Sequence, residues 1–118
     1  MTDLSSLERA VLRAIATQLP KHAAAFEHQV SRASVIAREN TRVGFFTTLS
    51  VASSELLEGL PSPAGDVAAS VQGLKYGMGF LLWLKDGLIY QLEGYSNGGE
   101  DTSALDFANV EFHDVEAR

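Results

Sequence analysis

Residues 77–95 read Gly-Met-Gly-Phe-Leu-Leu-Trp-Leu-Lys-Asp-Gly-Leu-Ile-Tyr-Gln-Leu-Glu-Gly-Tyr. Two strongly apolar runs flank Lys85-Asp86-Gly87, and a glycine-containing turn between such runs is a strong short-range sign of a β-hairpin. Strand geometry has period two, so Leu88, Tyr90, Leu92 and Gly94 share one face, and Ile89, Gln91, Glu93 and Tyr95 share the other. Two registers are open. A two-residue Asp86-Gly87 turn pairs Trp83 with Tyr90, whereas a type I turn with Gly87 as a bulge pairs Leu82 with Tyr90. The second is preferred, because it gathers Phe80, Leu82 and Leu84 beside Leu88, Tyr90 and Leu92 on one apolar face.

Working outward towards the C-terminus, a polar glycine-rich loop covers 96–101. A last strand then alternates Phe107, Asn109 and Glu111 against Ala108, Val110 and Phe112, and the tail from His113 is expected to be solvated. Towards the N-terminus, Val67 to Leu74 reads as a strand, and the stretch 53–66, with Gly59, Pro61, Pro63 and Gly65, as the longest loop. Val43, Phe45, Thr47, Leu49 and Val51 alternate with Gly44, Phe46, Thr48 and Ser50, the pattern of a half-buried strand. Residues 39–42 form a turn before it, and 34–38 a further strand, although Val35 and Ile36 can equally continue a helix.

The first thirty residues have a different period. Ser5-Ser6-Leu7-Glu8 fits a capping box, and Leu4, Leu7, Val11, Ile15 and Leu19 recur at helical spacing. Pro20 ends that helix at its predecessor and can open a second one, which carries Ala23, Phe26 and Val30 on one side. Helices followed by strands with hairpin-type connections predict an α+β fold. Two N-terminal helices (about 5–30) pack on one face of a mainly antiparallel sheet (about 34–112) of about five or six strands. The whole chain, 1–118, reads as a single domain.

Composition narrows the function classes. There is no cysteine, which excludes disulfides, Cys-ligated zinc and thiol catalysis and fits a reducing cytoplasm. No run approaches the roughly 20 apolar residues of a membrane span, and the polar, acidic start lacks the basic region of a secretory signal. A cytoplasmic protein without a membrane partner is therefore expected. Net charge is −6, unevenly spread: six Lys/Arg stand against four acids up to Arg42, and eight acids against Arg118 alone from Asp86 onward. Phosphate repulsion by the acidic half argues against nucleic acid, and a basic protein partner or self-association is favoured instead. Without a partner, the same charge serves solubility.

The polar face of the hairpin supplies the candidate site. Glu93 sits in an apolar segment near Trp83 or Phe80, with Gln91 and Tyr95 two positions away on either side as hydrogen-bonding groups. If Phe45 is core, Phe46 joins this face. Arg38, Glu39 and Thr41 at a neighbouring hairpin tip can meet it across the sheet. The competing account is an ordinary solvated sheet face with a local ion pair at the turn. No catalytic residue, metal ligand or cofactor is assigned. Gly77-Met78-Gly79 lacks the third glycine of a nucleotide loop and enters a strand. His22 and His28 are six apart on a helix and do not share a metal-binding face. His113 and Asp114 would point apart in extended chain, and no Gly-x-Ser-x-Gly elbow is present.

The segments 38–47 (Arg-Glu-Asn-Thr-Arg-Val-Gly-Phe-Phe-Thr), 71–74 (Val-Gln-Gly-Leu), 77–83 (Gly-Met-Gly-Phe-Leu-Leu-Trp) and 92–95 (Leu-Glu-Gly-Tyr) together resemble a set of small bacterial single-domain proteins of unassigned function. The resemblance implies a bacterial origin and no particular chemistry. The leading expectation is a non-catalytic protein- or ligand-binding or regulatory module, with an immunity-like protein that neutralises a basic toxin as one version. The alternative is a small-molecule enzyme or ligand-binding protein with a pocket centred on Glu93.

Overall fold

A computed structural model describes residues 2–118. Ser5 caps α1 (Ser6–Thr17) through the expected capping box, its hydroxyl accepting from the Glu8 N–H while the Glu8 carboxylate accepts from the Ser5 N–H. Pro20 opens a single 3-10 turn (Pro20–His22) that leads into α2 (Ala23–Ser31). Six strands follow: β1 (Ala33–Asn40), β2 (Gly44–Val51), β3 (Ala64–Val71), β4 (Met78–Lys85), β5 (Leu88–Ser96) and β6 (Phe112–Ala117). They form one sheet in the order β1-β2-β5-β4-β3-β6, with every neighbouring pair antiparallel. The α+β architecture read from the sequence is the one found.

Both helices lie on the same face of the sheet, α1 against β3 and β6, α2 against β5. Leu7, Val11, Leu12, Ile15 and Phe26 meet Phe45, Val67, Met78, Phe80, Leu82 and Leu92 in a continuous apolar core. The chain measures 38 × 30 × 19 Å along its principal axes. With layers packing roughly 10 Å apart, the thin dimension accommodates helices on a sheet and no third layer. One sheet face is therefore core, and among the described residues no helix or strand lies over the other.

The hairpin follows neither expected register along its whole length. Asp86 and Gly87 both take positive φ (54° and 77°), and Lys85 pairs with Leu88, so the turn is the two-residue kind. The bulge falls at Tyr90, not at Gly87: Leu84 pairs with Ile89, Trp83 with Gln91, and Leu82 with Leu92. That extra residue breaks the alternation within β5. Ile89, expected on the polar face, is core (1% exposed), and Tyr90, expected in the core, lies outside (38% exposed), under the Lys85 ammonium.

Four further expectations are corrected. The 39–42 turn shifts to 41–43, because β1 runs to Asn40 and Arg42 takes the positive φ of 75°. β3 starts at Ala64, inside the expected loop, and ends at Val71 before the Gln72-Gly73 turn. The strand expected over 107–112 is instead a series of turns, since the Asp106 carboxylate accepts from the Ala108 N–H and the Asn109 amide. Phe107 of this segment stacks on Phe45, ring centroids 4.3 Å apart. The tail expected to be solvated is β6, held to β3 and, through the Gln18 amide on the Arg118 carbonyl, to the end of α1.

Candidate binding surface

Register alone lays out the uncovered face. Glu39, Phe46, Glu93 and Leu81 form one row across β1, β2, β5 and β4; Ala37, Thr48, Gln91 and Trp83 form the next; Gly44, Tyr95, Gly79, Ala68 and Glu116 form a third. Five of the six residues singled out in the sequence, Phe46, Gln91, Glu93, Tyr95 and Glu39, thus share one surface. Phe46, Leu81, Trp83 and Tyr95 are each half-buried by their neighbours on the sheet.

Glu93 is at the centre. One of its oxygens accepts from the Trp83 indole N–H at 3.0 Å, a diagonal cross-strand pair that holds both side chains upright. Gln91 donates to the Thr48 hydroxyl at 3.1 Å, so its carbonyl oxygen has capacity to spare. Tyr95 lies flat across β4 because its partner there is Gly79: a methyl group at that position would collide with the phenol and with the Arg118 guanidinium. The face is acidic at its edges, with Glu39, Asp66 and Glu116; of the arginines, Arg118 reaches Asp66 at 3.4 Å. Four concavities of the surface lie elsewhere, between α1 and α2, beside the Gln72-Gly73 turn and next to Asp106, and Glu93 lines none of these four.

Arg38 does not join this surface. It pairs with Thr47 in register and points to the helix side, where it grips the Glu8 carboxylate with two bonds, Nε at 2.9 Å and Nη2 at 2.8 Å. The Glu8 side chain is completely buried and also accepts from the Thr47 hydroxyl and the Ser5 N–H. Burial works to raise its pKa, but the hydrogen bonds from Arg38, Thr47 and Ser5 outweigh it and hold the carboxyl below its ordinary value. The same pairing raises the Arg38 pKa. With every acceptor site occupied, Glu8 is structural and has no capacity for a ligand. The expected local ion pair at the 39–42 turn is thus a long-range one.

The buried role of Glu8 has a signal in the sequence. Glu8 lies four residues after Leu4 and three before Val11, inside the apolar stripe, where a carboxylate requires a buried cation. His113 and Asp114, expected to diverge, are 2.7 Å apart, because Asp114 takes a left-handed φ of 53°. Both are largely exposed. His28 is bound by Ser53 and by Arg32, and His22 touches the Glu58 carbonyl. Among the described residues no three His, Cys, Asp or Glu side chains form a group able to hold a metal ion, and no helix is long and apolar enough to cross a membrane. Comparisons of the chain with protein-family models, with curated proteins and with solved structures find no match.

Proposed function

We propose that this protein is a non-catalytic binding module that receives a basic protein surface on the outer face of its sheet, with Phe46, Trp83, Gln91, Glu93 and Tyr95 as the contact centre and Glu39 at its rim. The observation that carries this reading is the Trp83–Glu93 pair at the middle of an uncovered face. An arginine or lysine from a partner can ion-pair with the free Glu93 oxygen while its stem covers the Trp83, Phe46 or Tyr95 rings. Acidic residues at the margin steer such a partner and repel a second copy of the same face. Size, charge and the flat geometry suit an immunity-like protein that caps a cationic toxin. A catalytic role for Glu93 is less well supported, because that role needs an enclosed pocket and Glu93 lies on an open sheet.

The test is comparative capture on the immobilised protein and on its Trp83→Ala and Glu93→Lys variants. The expected result is a stoichiometric basic partner on the wild type, released by salt and absent from both variants. A partner retained equally by all three, or a partner that does not respond to ionic strength, would overturn the assignment.

A further inference from the structure

Hydrogen-bond capacity on the outer face of the sheet is unbalanced. Gln91 and Glu93 are two positions apart on the same side of β5, with Trp83 across from Gln91 and Phe46 across from Glu93. All four are half-buried, so each keeps surface that a partner can touch. The Trp83 indole N–H is spent on one Glu93 oxygen at 3.0 Å, and the Gln91 amide donates to the Thr48 hydroxyl at 3.1 Å. The second Glu93 oxygen and the Gln91 carbonyl oxygen meet no donor among the described residues. Acceptors are thus in excess beside aromatic rings. The nearby cations of the chain do not correct the imbalance: Lys85 lies over the Tyr90 ring at 5.2 Å, and Arg118 reaches Asp66 at 3.4 Å. Arg118 shows what the surface accommodates. Its guanidinium and the Tyr95 phenol both lie over Gly79, close enough that a methyl group there would meet both. The face therefore already seats one guanidinium beside an aromatic ring, at a position two residues along β5 from Glu93.

We infer that Gln91 and Glu93 together select arginine over lysine in the basic partner. This selection presupposes that the outer face is the binding surface, as proposed above. A guanidinium is a planar fork with donors along more than one edge, so it can bond the Glu93 carboxylate and the Gln91 carbonyl at once. Its weakly hydrated faces then lie against the Trp83 or Phe46 rings. A lysine ammonium is a compact, strongly hydrated point charge. It can pair with Glu93, but it gives up more hydration beside the rings and leaves Gln91 to water. Glu93 supplies the attraction and Gln91 the discrimination.

Trp83 is the single tryptophan of the chain, so its fluorescence reports this site without a label. The probes are capped hexa-arginine and hexa-lysine peptides, equal in charge, titrated into the whole protein at low ionic strength. Both should change the Trp83 signal saturably, hexa-arginine at about tenfold lower concentration. Gln91→Leu should cut that preference to about twofold or less while hexa-lysine binds as before, and Gln91→Glu, which keeps an acceptor oxygen at the position, should restore it. Glu93→Gln should weaken both peptides. Equal affinity of the wild type for the two peptides, or a full preference surviving in Gln91→Leu, would overturn the selection and leave the outer-face reading standing. A Trp83 signal that answers neither peptide, or undiminished binding to Glu93→Gln, overturns that reading and the selection with it. So does a signal that shifts with protein concentration alone, which gives the face to a second copy.

Discussion

Glu8 of α1 and Glu93 of β5 lie on opposite sides of the same sheet, and each has apolar neighbours. Glu8 is sealed in, with a bidentate arginine, a threonine hydroxyl and a backbone amide consuming its acceptors. Among the described residues Glu93 has a single indole donor, and it stays within reach of solvent. A buried charge is tolerated only when fully paired, whereas a half-buried one can remain partly unsatisfied because water completes it. The contrast separates structure from function: capacity left over at a polar group matters more for recognition than the presence of the group.

The comparison breaks most visibly at Arg38. Arg38→Ala leaves the Glu8 carboxylate buried and unpaired and should cost about 3–5 kcal/mol in urea unfolding. The paired replacement Glu8→Gln/Arg38→Met should recover much of that loss; equal instability of both variants would show that the pairing is not what matters. Next in size is the contrast between adjacent residues of β4. Leu82→Ala, in the core, should lose about 2–5 kcal/mol, and Leu81→Ala, on the outer face, less than about 1 kcal/mol. Comparable losses would mean that the outer face is as tightly packed as the inner.

Acid sharpens the same comparison. Because the folded-state pKa of Glu8 is held below its ordinary 4.5, its stabilising contribution is fully present above that value and disappears as pH falls through the lowered one. Wild-type stability should therefore fall more steeply below about pH 4.5 than that of Glu8→Gln/Arg38→Met, as measured by denaturant midpoints across the pH range. A parallel decline in the two proteins would remove Glu8 from the acid response. The smallest stability effect belongs to Glu93→Gln, expected within about 0.5 kcal/mol of wild type by thermal unfolding while partner capture is lost. A large stability loss there would recast Glu93 as a structural residue like Glu8.

Much of the fold was legible because helical and alternating periods are local properties. The Ser5–Glu8 capping box, the Phe45/Phe46 split between faces and the grouping of Gln91, Glu93 and Tyr95 all follow from spacing within a few residues. What failed was set by contacts distant in sequence. The bulge at Tyr90 depends on how β5 is held from outside the hairpin, and the β6 tail depends on pairing with β3 and on Gln18, a hundred residues before Arg118. The place of Arg38 followed the same rule, since its partner is on α1, in a part of the chain that strand alternation does not address.

Gln29, buried in α2, holds the hairpin from outside. Its amide nitrogen donates to the carbonyls of Glu55 and Gly87, and its oxygen accepts from the Ile89 N–H at 2.9 Å. One side chain thus stands in for a missing strand partner at the start of β5. The Ile89 amide proton becomes a natural gauge of helix docking: its exchange with solvent should slow only while α2 is seated, so one resonance reports the cohesion of the two layers.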